Sequence, residues 1–463
     1  MEKSFEFGGE KPQIIDLRFT DLRGRWMHIS RTVEGFTPRS AEDGVPIGAA
    51  AITGFQGANE SDLLLKPKLD TQFVDHLSRV PTVAMFAEVA DPVQKNVYSR
   101  DTRSVLRRAL AYLEQSGIAD EVLIGPEIEF YLFEGVEFRT ASAESYVRIE
   151  ELDGLHNSAV SGSGHRISYP SVHLACQPSD MHSDFRNTIV EQLRRHGIIP
   201  LHHHHESGPS QHEIGIRATD ALSAADDIQK QKYIIQNIAQ AQGKTATFMP
   251  KPLAYAPGSG LHLNISLWKE KCSLFHHESN LISEIGRYFI GGILKHVRAL
   301  NVLLNSSMNS YKRLRSAFSL MNAPSYGFRN RSSLIRIPAH HDASECRIEV
   351  RFGDSAGNPY LAIAGLIMAG MDGVINKIDP GEQDEKNNHL DNALFDARRV
   401  NRATFCGSMD EAIIALAEDC SFLEAGEVFS KELLDMLIAE LNRQIRVMDS
   451  LPHPNEFSMY FSS

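Results

Sequence analysis

Apolar and polar positions alternate with period two through several short runs of the chain. Ile14–Phe19 (IIDLRF) and Trp26–Ile29, split by Asp21-Leu22-Arg23-Gly24, predict a hairpin. Leu63–Leu65 and Val80–Val89 predict two further strands, and a Gly- and Ala-rich loop is expected over Gly44–Gly57. The first hundred residues therefore read as a small, mainly β unit. The polar junction Ser99-Arg100-Asp101-Thr102 supplies a helix N-cap, and Val105–Gln115 is the helix expected after it.

Beyond that helix, Gly125–Phe133 (GPEIEFYLF) predicts a buried strand, and residues 140–185, rich in Ser, His and Gly, predict loops. A helix is expected from about Asp184 to His196 and strands over 200–217. Asp220–Gln242 reads as a long amphipathic helix, with Ile228, Ile235 and Ile238 on its apolar side and Gly243 as C-cap. Strands at 245–249 and 261–267, a helix over 283–304, a mixed segment 310–352 and a mostly helical remainder follow. Strands and helices interleave without βαβ regularity, which predicts an α+β fold on a large antiparallel sheet with flanking helices. The expected division is residues 1–99 and 100–463.

The strand at Gly125–Phe133 carries two carboxylates, Glu127 and Glu129, on one face, with Ile128 and Phe130 on the other. Like charges side by side in a core are costly unless a cation lies between them. Other strands carry matching groups. Glu206 and Glu213 flank the turn Ser207-Gly208-Pro209-Ser210. His262, Asn264 and Ser266 share a face of Leu261–Leu267, and Arg347, Glu349 and Arg351 share a face of Arg347–Phe352. Polar residues above an apolar back describe a cavity floor. The run His202-His203-His204-His205 alternates faces, so at most two of the four could share one ion, and these histidines are expected to support the site from behind. Glu127, Glu129, Glu206, Glu213, Glu349 and His262 form an oxygen-dominated set suited to two Mg²⁺ or Mn²⁺ ions. Arg313, Arg329, Arg331, Arg336, Arg347 and Arg351 supply the cationic charge that phosphoryl transfer requires.

Composition narrows the class. The chain has 463 residues, 42% hydrophobic and 23% charged, long enough for two domains. A net charge of −12 argues against a general nucleic-acid binder. Five scattered cysteines without a CxxC pair fit reduced thiols in a cytoplasmic protein. The N-terminal MEKSFEFGGEKPQ lacks the apolar core of a signal peptide, and Leu361–Met371 falls short of the roughly 20 residues that span a bilayer. No membrane association is expected, and Leu361–Met371 reads as a core helix.

Over nearly its whole length the chain resembles the bacterial type I glutamine synthetases. The resemblance is carried by DLRFTD (16–21), NESD (59–62), GPEIEF (125–130), HHHE (203–206), QHEI (211–214), GKTATFMPKP (243–252), GSG (258–260), NSYKRL (309–314), RNRS (329–332), IRIP (335–338), RIEVRF (347–352), NPYLA (358–362) and PHPNEF (452–457). It implies an N-terminal β-grasp domain, a C-terminal catalytic domain, and a homododecamer of two hexameric rings with active sites completed between subunits. It implies ATP as co-substrate, with one metal ion held by Glu129, Glu206 and Glu213 and a second by Glu127, His262 and Glu349. Arg313, Arg331 and Arg351 would act on the reacting groups. Glu129, Gly258, His262, Arg313 and Arg351 would contact the acid substrate, and Ser266, Arg331, Arg336 and Arg347 the nucleotide.

The chain departs from that family where ammonium binds. Gly48 stands where an Asp is expected, with Asp43 the one local substitute, and Ala51 replaces a Ser. Ser319 stands at the flap Glu that takes a proton from ammonium. Pro257 replaces the Asn before Gly258. Around the nucleotide, Asn264 replaces a His, Ser344 a Lys, Leu201 an acid and Ala218 an aromatic residue; His389 stands at the Tyr that is adenylylated in relatives. Three readings follow: an ATP-dependent carboxylate–amine ligase that forms a γ-glutamyl or analogous amide with an amine other than ammonia, a non-catalytic assembly or regulatory protein, and a glutamine synthetase with an altered ammonium site.

Overall fold

A computed structural model describes residues 11–141, 144–151, 172–278, 281–317, 324–384, 405–454, 456 and 459. In the N-terminal part, β1 (Ile14–Thr20), β2 (Trp26–Thr32), β3 (Val45–Gly48), β4 (Asp62–Pro67), β5 (Phe73–Val74) and β6 (Thr82–Ala90) form one sheet in the order β2-β1-β6-β4-β3, with β5 on β6. β1 and β6 are parallel and the other pairs antiparallel. Helix α1 (Pro38–Asp43), capped by Thr37, leads into β3. Ile15, Leu17, Leu63, Leu65, Val83, Met85 and Val89 close the core of this β-grasp unit. The stretch expected as a loop over Gly44–Gly57 thus contains a strand. Val45 is buried and pairs with Leu65, a distant partner that outweighs the local turn-forming composition.

Asp101 caps α2 (Thr102–Gln115), taking the N–H of Ser104 at 2.9 Å and that of Val89 at 3.2 Å, so the cap also ties the helix to β6. The second sheet is centred on β7 (Glu121–Phe133). Next in the chain, β8 (Gly135–Ala141) and β9 (Glu144–Glu150) form a separate antiparallel hairpin. That hairpin corrects the loop expected from residue 140. Its residues are largely exposed, so burial leaves little periodic signal in the sequence.

The remaining strands are β10 (Pro200–His205), β11 (Gln211–Ile216), β12 (Thr219–Asp220), β13 (Thr245–Thr247), β14 (Leu261–Lys269), β15 (Cys272–Ser273), β16 (Tyr326–Phe328), β17 (Ile335–Ile337) and β18 (Ile348–Val350). The sheet order is β10-β11-β7-β14-β18-β17-β16, antiparallel except for the parallel β16–β17 pair. Helices α3 (Ser183–Arg195), α4 (Ala221–Ala241), α5 (Glu284–Lys295), α6 (Val297–Leu304), α7 (Met308–Ala317), α8 (Pro359–Ile375), α9 (Met409–Glu418), α10 (Ser421–Glu424) and α11 (Lys431–Asp449) complete the described elements. Ile228, Ile235 and Ile238 of α4 are buried, as their spacing predicts. The single helix expected over 283–304 is divided at His296, whose ring is held between Asp419 at 2.7 Å and Asp372 at 2.9 Å.

Helix α8 is buried through almost its whole length. It passes so close to α5 that a Cβ on Gly292 would lie 2.0 Å from the carbonyl oxygen of Ala369. The two parts of the chain are joined by charge as well as packing. Arg103 of α2 makes a bidentate pair with Asp226 of α4 (3.0 and 2.9 Å) and reaches Glu88 of β6 at 3.3 Å. Arg18 binds Asp16 at 2.7 Å and also Asp75, which accepts the Tyr233 hydroxyl at 2.8 Å. Among the described residues no helix is long and apolar enough to cross a membrane.

Candidate active site

Strand register gathers the predicted acids. Glu129 of β7 lies opposite Glu213 of β11, Glu127 opposite His262 of β14, and Asn264 of β14 opposite Glu349 of β18. With alternate side chains on opposite faces, Ile128, Phe130, Ile214 and Ile348 enter the core while the acids and His262 share the other side. His262 stands at the centre. Its Nδ1 is 3.5 Å from Glu127 and 3.6 Å from Glu349, and its Nε2 is 3.5 Å from Glu129.

Two overlapping groups, Glu127–His262–Glu349 and Glu129–Glu213–His262, each bring one ligand atom per residue within 4.8 Å of the others. This donor set, mostly carboxylate oxygen on a rigid sheet, fits hard divalent cations. Of the expected trio Glu129, Glu206 and Glu213, Glu206 also belongs to a group with His173 and His204. Glu206, just past the end of β10, takes the Ser207 N–H at 2.8 Å and sits beside His173 (3.5 Å) and His204 (3.6 Å).

The electrostatics of the acids divide sharply. Burial pushes the Glu129 carboxyl above its usual range, and Glu206 and Glu213 add to the rise against His262 and Arg313. Gly260 N–H (2.7 Å) and Gln211 Nε2 (3.3 Å) hold its Oε2. Burial also opposes charge on Glu349, but Arg351, His262 and Arg336 outweigh it and hold that carboxyl down at about 2. Glu213 is likewise held low, against burial, by hydrogen bonds from His202 and His204.

Each predicted arginine has a definite place. Arg336 donates to Glu349 at 2.6 Å and Arg351 donates to its other oxygen. Arg347 donates to Asn264 at 2.9 Å and to the Glu345 carbonyl at 2.9 Å, and Asn264 in turn donates to Glu127 at 3.0 Å. Arg313 is buried and braces the carbonyls of Phe352 (3.1 Å) and Arg351 (3.0 Å). Ser266 accepts from Trp268 at 2.9 Å. Glu129, Gly258, His262, Arg313, Arg331 and Arg351 line one cavity of about 810 Å³.

Lys251 and Tyr255 share that cavity but were absent from the sequence-derived set, although Lys251 lies inside GKTATFMPKP. Gln211, which braces Glu129, was missed as well, although it opens the stretch QHEI (211–214) that ends just past Glu213. Gly48, at the end of β3, is exposed, and a Cβ there would meet nothing within 4 Å. Pro257 accepts the Tyr131 hydroxyl at 2.6 Å. Arg329 has a left-handed backbone, φ 57°, and donates its N–H to Ile337. Ser319 and His389 lie outside the described residues.

The family model for the glutamine synthetase catalytic domain matches residues 99–460, and that for the glutamine synthetase β-grasp domain matches residues 11–92. The glutamine synthetase of Neisseria gonorrhoeae is 41% identical over 464 aligned residues, covering 98% of this chain and 97% of that protein. A protein named 3-hydroxylaminophenol mutase, from Cupriavidus pinatubonensis, is 39% identical, covering 97% and 96%. The solved Plasmodium falciparum glutamine synthetase superposes with a TM-score of 0.86 at 26% identity, covering 97% and 96%. That family is one of homo-oligomeric ligases that use ATP and divalent metal in nitrogen metabolism. With an N-terminal β-grasp sheet leading into a second sheet whose acids surround His262, the chain belongs to the glutamine synthetase family.

Proposed function

We propose that this protein is an ATP-dependent carboxylate–amine ligase that joins glutamate, or a close analogue, to an amine larger than ammonia. The observation that carries the reading is a contrast: the chain keeps every acid, His262 and the arginines expected at the floor, while glycine stands at the ammonium-binding position. Glu127, His262 and Glu349 would hold one divalent cation, and Glu129 and Glu213, with Glu206 swung inward, a second. When bound, these Mg²⁺ or Mn²⁺ ions would neutralise charge on the phosphate oxygens.

Arg313, Arg351 and the Gly258 backbone hold the acid in the cavity beside Glu129. Arg331 at the cavity, with Arg336 beside Glu349, Arg347 beside Asn264 and Ser266 further along β14, receives the nucleotide. The acid's γ-carboxylate attacks the terminal phosphorus, giving an acyl phosphate and ADP. The amine nitrogen then attacks the acyl carbon, phosphate departs, and the nitrogen gives its proton to solvent. Ammonium needs anionic partners both to bind and to lose a proton. Gly48 and Ser319 supply neither, whereas an organic amine brings apolar surface of its own. In the double-hexamer assembly we infer, Gly48 enters the active site of a neighbouring subunit.

A second reading, a non-catalytic member of the family, is favoured by one observation. Asn264 stands at the nucleotide-side His position and engages Arg347, which would otherwise be free for phosphate. Phosphate release from ATP with Mg²⁺ and glutamate separates the readings. The amine panel includes ammonia, alkylamines, ethanolamine and 3-hydroxylaminophenol. Release that depends on an organic amine is expected. Release with ammonia alone returns the protein to glutamine synthetase activity, and no release with any acid and amine pair leaves the non-catalytic reading.

A further inference from the structure

The four-histidine run on β10 has two unlike faces, and only one of them meets the acid floor. His203 and His205 turn away from it: His203 accepts from Arg186 at 3.1 Å, and His205 is fully buried. His202 and His204 turn toward Glu213. His202 Nε2 is 3.3 Å and His204 Nε2 3.4 Å from the same oxygen, Glu213 Oε1. The two rings are parallel within 8°, with centroids 5.9 Å apart.

We propose that His202, His204 and Glu213 form a third cation site, which shares the Glu213 carboxylate with the floor and is selective for a borderline ion such as Zn²⁺, Co²⁺ or Ni²⁺ where the oxygen-rich floor prefers Mg²⁺. The spacing fits. Zinc bonds of about 2.0–2.1 Å in a tetrahedron place neighbouring ligands roughly 3.3 Å apart, the separation found for both imidazoles from Glu213. Three protein ligands leave a fourth position for water.

The backbone is shaped for the outer ligand. His202 lies opposite Gly215 on β11, and a Cβ on Gly215 would fall 2.3 Å from His202 Cε1. Glycine there lets the imidazole lie across the strand toward Glu213, in space any side chain would fill. The inner ligand is oriented by acceptors. His204 Nδ1 lies 3.2 Å from the His205 carbonyl and 3.6 Å from Glu206, contacts that hold the ring with Nε2 toward Glu213. Imidazole donors select borderline ions over Mg²⁺.

The test uses the full-length protein with excess Mg²⁺, titrated with Zn²⁺ against a chromophoric competitor, and with Co²⁺ as an optical probe. Wild type is expected to hold one more Zn²⁺ per chain than H202A or H204A, with at least tenfold weaker binding of that ion in either variant. The visible Co²⁺ band is expected to be lost with it. E349Q serves as the control, because it alters the floor without touching the proposed trio, and should keep the extra ion. Equal Zn²⁺ stoichiometry and affinity in wild type and H202A overturns the site, as does loss of the extra ion in E349Q while H202A keeps it. Neither result bears on the amine panel.

Discussion

Replacing Glu129 with Gln should change stability in opposite directions with and without metal. The side chain is buried, with Glu213 within 4.8 Å. Two unit charges no farther apart than that repel by at least about 3.5 kcal/mol at an effective dielectric near 20. His262 at 3.5 Å and Arg313 offset part of this, yet burial and the neighbouring acids prevail, since the carboxyl is pushed above its usual range. Gln keeps the shape and can still accept from Gly260 and Gln211. In chelator, E129Q should therefore be more stable than wild type by about 1–2 kcal/mol, the part of the carboxylate repulsion that His262 and Arg313 leave uncompensated. With Mn²⁺ at about a hundred times its dissociation constant, wild type gains about 2.7 kcal/mol per bound ion, and E129Q should forfeit one such gain. The ranking then reverses. Denaturation at one fixed protein concentration, with EDTA and with Mn²⁺, reads both signs. E129Q less stable than wild type in EDTA, or an equal gain from Mn²⁺ in both proteins, would refute the assignment of Glu129 to a metal-binding acid floor.

Glu349 should behave oppositely in chelator. Arg351, His262 and Arg336 hold its carboxyl near 2 against burial, from an ordinary 4.5, so E349Q should lose about 3 kcal/mol as well as all phosphate release; wild-type stability in EDTA would contradict this. Asp16 in the N-terminal sheet is brought down to about 2 from 3.8 by His28 and Arg18, again against burial. Its contribution is complete above pH 4 and disappears as pH falls through 2, so D16N should cost about 2 kcal/mol at pH 7 and nothing below pH 2. Denaturant melts across that range test the window, and a difference that grows with acid would be the wrong sign. Gly292→Ala would raise helix propensity at an open site, but the Ala369 carbonyl 2.0 Å from its Cβ should make it cost about 1–3 kcal/mol; a higher melting point would show that the α5–α8 crossing can open.

Much of this molecule was legible because burial on one side of a strand imposes period two. The faces of Gly125–Phe133 and Leu261–Leu267 follow from it, whereas the apolar side of α4 follows from the helical period of 3.6 and the buried helix over Leu361–Met371 from an unbroken apolar run. Elements held by distant partners were not legible. β3 forms in a Gly- and Ala-rich stretch because Leu65 covers Val45, and the β8–β9 hairpin is too exposed to leave an alternating signature. The break at His296 depends on Asp372 and Asp419, which approach from elsewhere in the chain.

The candidate site divides along the same line. Sequence by itself named the members of the floor: alternation assigns Glu127, Glu129, His262 and Glu349 to polar faces, the turn over 207–210 brings Glu206 and Glu213 together, and the family resemblance marks Gly48 and Ser319 as positions where an acid is expected. Only the tertiary structure decided how the charges are shared. Arg336 and Arg351 both neutralise Glu349, Arg347 goes to Asn264, Glu206 stands with His173 and His204, and His202 and His204 converge on Glu213. Periodicity is a property of one strand and gives each side chain its face. Charge compensation depends on separations of 3–4 Å across strands, and those exist only once the sheet has set its register.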